Sequence, residues 1–267
     1  MEFKTETVQG PRDNEISFSP ERGGIIRSMK LKGKEVLFVD EVTFADAEKN
    51  VRGGIPILFP NAGPLTGENN PYPDLKQHGF ARLSNQWKVE ESNAGKFSEK
   101  LASNEDTKAV FPFDLETRMR GELNEDGSVT LTQEVTNLEA EREMPVSMGL
   151  HPYFKVSNTE KRNIKFNFAG GEIVEADFAV WSQGGTTRID NPKIHDSEAV
   201  LRVEIPGLGT LVIDASAEYQ RIWIWSLPEQ DFICIEPVMR DDGGLLDDPQ
   251  MVKPSETFSG RVNFRLE

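Results

Sequence analysis

A single cysteine, Cys234, stands in a chain of 267 residues. One thiol closes no internal disulfide and builds neither a cysteine-rich zinc site nor an iron–sulfur centre. Histidine is nearly as scarce: His78, His151 and His195 are the full set. Three are too few for a histidine-rich metal site, so no metal and no other cofactor is expected. Basic residues are outnumbered, 30 Lys and Arg against 45 Asp and Glu, and the formal net charge is -15. Binding to a nucleic-acid backbone needs a concentrated basic surface, so nucleic acid is not an expected partner. No run approaches the roughly 18 apolar residues of a membrane-spanning helix. The opening MEFKTETVQGPRDNEISFSP lacks the apolar centre of a secretory signal. A cytoplasmic location with no membrane partner is the expectation. Helical periodicity is missing as well, since no long segment carries a 3.6-residue apolar stripe.

What the chain does have is short, alternating apolar runs. Residues 109–120, 128–136, 163–168, 209–215, 219–227 and 231–236 all read at a period of two. Turn signals separate them: KGK at 32–34, NEDG at 124–127, AGG at 169–171 and PGLG at 206–209. This pattern predicts an all-β chain, a large antiparallel β-sandwich occupying 1–267 as one domain. Two polar stretches, 61–78 and 239–250, read as long loops, which on a β scaffold are either binding loops or plain insertions.

Three places carry candidate chemistry. In DFICIEPV at 231–238, Phe232, Cys234 and Glu236 share one strand face, and Ile233 and Ile235 share the other. Glu236 is either solvated where the strand ends or a buried carboxyl needing a partner or a raised pKa. In SMGLHPYF at 147–154, His151 stands where a strand leaves the sheet beside aromatics. It is either a structural imidazole or a general acid or base. In QHGFAR at 77–82, His78 and Arg82 lie around a glycine that permits close backbone approach. With Arg52 beside the glycine pair upstream, Arg82 either clamps an anion or pairs with one of the many carboxylates. Neither segment has the spacing of a P-loop or a dinucleotide fingerprint. His195, among polar residues, reads as surface, and Trp223 and Trp225 read as core or pocket wall.

Taken together, the chain resembles the aldose 1-epimerase (galactose mutarotase-like) superfamily. The resemblance rests on GGIPILFPNAGPL at 53–65, QHGFAR at 77–82, FPFDLETRMRGEL at 111–123, VTNLEAEREMPVSMGLHPYF at 135–154 and FICIEPV at 232–238, in that order. Within the superfamily the chain is most similar to the LacX-type branch. The resemblance implies a β-supersandwich with a sugar in an open cleft, and interconversion of α and β hexose anomers without metal or cofactor. It implies Glu236 as catalytic base, held ionised, and His151 as catalytic acid, held protonated. His78 would be the second histidine positioning the sugar and its ring oxygen. Arg82 and Arg52 would be substrate arginines, and Asp214 the carboxylate that binds sugar hydroxyls. Phe154, Phe80 or a tryptophan would supply an apolar wall. The chain departs from the galactose mutarotase pattern where HGFAR replaces His-Gly-Gly and where the upstream Asn-Arg pair is not evident. The RGG and HGFAR segments are shared with hexose-6-phosphate 1-epimerases, so the partner is a sugar or a sugar phosphate. The rivals are a non-catalytic carbohydrate-binding protein, a glycoside hydrolase or lyase pairing Glu236 with Asp214 or Asp241, and a protein whose acidic 239–248 loop meets a basic partner. Monomer and homodimer are both open.

Overall fold

A computed structural model describes residues 3–67 and 69–267. Strand formation follows the alternation. Along Leu115–Leu123 and Val129–Asn137 every second side chain is buried. The two pair antiparallel, with Leu123 opposite Val129. The connecting turn places Gly127 at φ 85° and uses the Asp126 carboxylate to accept from the Ser128 N–H and hydroxyl, an Asx-type closure that a glycine completes at no steric cost.

These strands lie inside an eight-stranded sheet. Its order is Lys165–Asn167, Leu201–Ile205, Gly209–Ala215, Thr257–Leu266, Val129–Asn137, Leu115–Leu123, Lys96–Ala102 and Lys88–Asn93. A six-stranded sheet faces it, ordered Thr187–Asp190, Arg221–Trp225, Phe232–Val238, Gly149–Leu150 and Ile57–Leu58, with Tyr153–Lys155 also pairing to Phe232–Val238. Ile222, Ile224, Ile233 and Ile235 of the smaller sheet share one hydrophobic cluster with Leu131, Val135, Ile213 and Phe264 of the larger. Buried Gln133 bridges the layers by donating to the Leu58 carbonyl and accepting from the Tyr219 hydroxyl, so this polar group is satisfied inside the core. Separate four- and two-stranded sheets complete the β structure of the described residues.

The sandwich expectation therefore holds, and the helices are short, the longest being the seven-residue Glu175–Trp181. One segment differs from the sequence reading. Ala109 and Val110 end a helix, Glu105–Val110, and the strand begins only at Leu115. The cause is a capping box: the Asn104 side chain accepts from the Thr107 N–H, and the Thr107 hydroxyl accepts from the Asn104 N–H. The stretch at 239–250 also contains a short helix, Gly244–Asp247.

Candidate active site

Phe232–Val238 is buried at all seven positions because it runs mid-sheet, with Arg221–Trp225 on one side and Gly149–Leu150 and Tyr153–Lys155 on the other. Ile233 and Ile235 face the core, so Phe232, Cys234 and Glu236 face outward. Cross-strand register then builds two rows on the outer face. Arg188, Trp223 and Glu236 form one, and Tyr153, Cys234 and Trp225 form the other. Glu236 is not a solvated strand end; it is 2% exposed at the floor of a cleft of about 450 Å³.

Glycines hold the other walls. Gly53 and Gly54 have φ of 138° and 64°, and a Cβ at either would overlap the backbone, at Val39 and Ile26 respectively. This close approach carries Arg52 to the cleft rim and lets the Pro56 carbonyl accept from the His151 N–H at 3.1 Å. Gly79, at φ 67°, stands where a Cβ would overlap the Phe59 carbonyl. His78 beside it also has positive φ, 71°, a conformation that a non-glycine residue keeps only when its surroundings hold it. Here the Ala62 carbonyl accepts from both the His78 backbone N–H, at 3.1 Å, and its Nδ1, at 2.6 Å. The short turn Ala81–Leu83 follows and presents Arg82.

His151 and Glu236 meet in this cleft, with Nε2 3.5 Å from Oε1. The His151 ring stacks on Tyr153 at 4.7 Å and 7° and meets His78 edge-on at 5.3 Å and Trp225 at 5.9 Å. Burial dominates their protonation. It pushes the Glu236 carboxyl well above the carboxylate range, opposed by Arg82, and pushes His151 well below the imidazole range, helped by His78 and Arg82. Burial thus favours a neutral carboxyl beside a neutral imidazole over the carboxylate–imidazolium pair that the resemblance implies. The proton count is the same in both descriptions; only its position differs. His78 is lowered to about 4, by burial first and then by Arg82. A carbonyl can only accept, so His78 Nδ1 carries the proton and Nε2 offers a lone pair. At neutral pH His78 Nε2 is therefore an acceptor and not a donor.

Arg82 lines the cleft with its Nε buried and without a hydrogen-bond partner. Five expected residues, Glu236, His151, His78, Arg82 and Arg52, come together. Asp214 does not. It lies in the eight-stranded sheet opposite Asn263 and pairs with Lys193 at 2.9 Å, because Gly209–Ala215 belongs to the other layer. Asp241 accepts from Trp223 Nε1 at 3.1 Å and Arg221 Nε at 2.8 Å, and so fixes the cleft wall. Phe154 is buried against Phe264 in the core, one residue out of phase with the cleft face, and Phe80 packs on Phe59. The aromatic walls are Tyr153, Trp223 and Trp225. His195 lies outside the cleft, paired with Asp190 at 3.2 Å.

Sequence reasoning missed Tyr153, Arg188 and Asp242. Tyr153 was within reach, since it follows His151 by two residues along an extended segment. Arg188 reaches the cleft only through its register with Trp223, and it stacks over that ring at 5.2 Å while pairing with Asp242 at 2.6 Å. A larger groove of about 700 Å³, beside Phe38, Val156 and Leu208, contains no histidine.

Comparison with known proteins agrees with this architecture. Protein LacX of Lactococcus lactis is 24% identical over 278 residues, covering 86% of this chain and 89% of its own. A Cenchrus ciliaris protein, provisionally named as a glucose-6-phosphate 1-epimerase, is 25% identical over 275 residues, covering 90% of this chain and 78% of its own. Among solved structures, the Slr1438 protein of Synechocystis superposes with a TM-score of 0.83 at 27% identity, covering 99% of this chain and 96% of that one. A galactose mutarotase related enzyme of Lactobacillus acidophilus gives a TM-score of 0.76 at 19% identity, covering 99% and 97%. The aldose 1-epimerase family model matches residues 7–205, which include His78, His151 and the glycine turns that seat them, and the chain belongs to that family.

Proposed function

We propose that this protein is an aldose 1-epimerase that interconverts the α and β anomers of a hexose by opening and reclosing the ring. The carrying observation is the His151–Glu236 pair, 3.5 Å apart and desolvated at the floor of an aromatic-walled cleft. Ring opening needs a proton removed from the anomeric hydroxyl and one delivered to the ring oxygen. Glu236 as carboxylate takes the first, and His151 as imidazolium gives the second. The C1–O5 bond breaks, the aldehyde forms, and rotation about C1–C2 presents its other face to the reverse transfers. After opening, Glu236 carries a proton and His151 is neutral. That is the protonation state which burial favours in the cleft. Moving one proton between the partners regenerates the other state. His78 Nε2 accepts from a sugar hydroxyl, and Trp225 and Tyr153 offer ring faces to the apolar side of a pyranose.

A second reading, a hexose 6-phosphate as substrate, is favoured by one observation: Arg52, Arg82 and Arg188 line the same cleft. Guanidinium groups there bind a phosphate through charge-assisted, bidentate hydrogen bonds. The provisional name of the Cenchrus relative supports this reading.

Exchange NMR on purified protein tests both. Magnetisation transfer between the anomeric protons of free hexoses and of their 6-phosphates should exceed the uncatalysed rate in at least one series. Glu236→Gln should abolish most of that excess while still binding sugar. Binding with no excess exchange in any series would leave a carbohydrate-binding protein instead. Arg52→Ala and Arg82→Ala should impair exchange of the phosphates far more than of the free sugars if phosphate is recognised, and equal modest losses would reject that reading.

A further inference from the structure

Cys234 lies beside the proton-transfer pair, on the same strand face as Glu236, and takes no part in the reaction above. Its Sγ, a ring nitrogen of His151 and a carboxylate oxygen of Glu236 lie within 4.8 Å of one another, and all three residues are buried. Among the atoms of these residues, His151 Nδ1 and Glu236 Oε2 are buried without a hydrogen-bond partner. We propose that His151, Cys234 and Glu236 form a buried site for a thiophilic divalent cation of the zinc type, and that an ion seated there holds the enzyme inactive. Tetrahedral zinc binds sulfur at about 2.3 Å and nitrogen or oxygen at about 2.0–2.2 Å, which sets donors roughly 3.3–3.7 Å apart. Donors up to 4.8 Å apart close by roughly 1.1–1.5 Å to reach that geometry. The mixed sulfur, nitrogen and oxygen set suits zinc and disfavours magnesium and calcium, which demand a shell of oxygens.

Charge balance favours the same ion. A thiolate and a carboxylate together neutralise a divalent cation in a place where neither anion is stable alone. Arg82 and His78 flank the site from the neighbouring turn and Tyr153 from the adjoining strand, while Lys161 acts on Cys234, so Arg82 and Lys161 are the cations that oppose binding. Two protons leave for each ion bound, one from the Cys234 thiol and one from the His151–Glu236 pair, as metal–sulfur, metal–nitrogen and metal–oxygen bonds form. The ion would occupy the lone pairs that proton transfer uses, and inhibition follows from that. This last step rests on the proposed epimerase activity; the binding does not.

The test uses the full chain stripped with a chelator, then titrated with Zn²⁺ by calorimetry and with Co²⁺ by absorption. The expected result is one ion per chain, a thiolate-to-cobalt charge-transfer band that Cys234 alone can supply, and loss of anomer exchange that chelator reverses. In Cys234→Ala the band should vanish. Zn²⁺ affinity should fall by roughly tenfold or more, since losing even an outer-shell partner costs that much. Absence of the band in the wild type, or equal Zn²⁺ affinity in the variant, overturns the site. Should the variant fail to fold, the wild-type Co²⁺ spectrum decides alone. A band with undiminished exchange overturns the inhibitory role. A band in a protein that exchanges no anomers faults the epimerase reading and leaves the site standing.

Discussion

The protonation of two residues decides how the cleft responds to pH. His151 and Glu236 share one proton in the working state. Acid adds a second, chiefly to His151, and alkali removes the last, chiefly from Glu236. Burial lowers His151 and raises Glu236. The acid limb of the exchange rate is therefore displaced below the ordinary imidazole value, and the alkaline limb is displaced well above the ordinary carboxylate value. His78, lowered to about 4, keeps its acceptor through this range. A rate profile measured on free enzyme should show a plateau covering neutrality and extending below pH 6.5, the reference value for imidazole. An acid limb at or above that value would contradict a buried neutral His151. Glu236→Gln should remove the alkaline limb from whatever rate remains. The identity of these residues was legible in the sequence from their motifs. Their protonation was not, because it depends on how completely Tyr153, Trp225 and the neighbouring strands exclude water, and no local pattern encodes that.

At the scale of elements, the site is a strand face plus two glycine-built turns. Strand faces were readable: alternation placed Glu236 and Cys234 opposite Ile233 and Ile235, as observed. Which sheet each strand joins was not, and Asp214, named through the family resemblance alone, falls in the other layer. Arg188 escaped for the same reason, since its neighbour Trp223 pairs with it only after the chain has crossed to the other sheet for Leu201–Ile205 and Gly209–Ala215. The turn at Gly79 carries the clearest element-level prediction. Its φ of 67° and the nearness of the Phe59 carbonyl leave no room for a Cβ. Gly79→Ala must move the segment bearing His78 and Arg82, at a cost of order 1–3 kcal/mol for a residue forced into such a conformation. Melting temperature should fall, and sugar affinity should fall further than stability alone explains, because two cleft residues shift together. An unchanged melting temperature and an unchanged affinity, compared by thermal denaturation and calorimetry, would show that the turn does not hold the site.

For the whole molecule, acidity and stability are linked through a carboxyl outside the cleft. The net charge of -15 is carried mostly on the surface, where Glu15, Glu90 and Glu116 are held low by lysine and arginine partners. Their contribution is present above the ordinary carboxylate value and is lost as pH falls through their folded values. Glu99 works the other way. It is fully buried beside Trp87 and Gly24, neither carboxyl oxygen has a hydrogen-bond partner, and burial raises it to about 8. Between the reference value of 4.5 and about 8, the unfolded chain has lost this proton while the folded chain keeps it. Folding then binds more protons than unfolding, so stability falls as pH rises, by about 1.4 kcal/mol per unit at most from this one group. Glu99→Gln removes that titration. The difference in melting temperature between variant and wild type should shift steadily in the variant's favour from pH 5 to pH 8, whatever its offset at pH 5. The surface carboxylates are common to both proteins and cancel in that difference. A difference that stays flat across the range would mean that Glu99 ionises in the folded protein as readily as in the unfolded one, and that water or a partner reaches it.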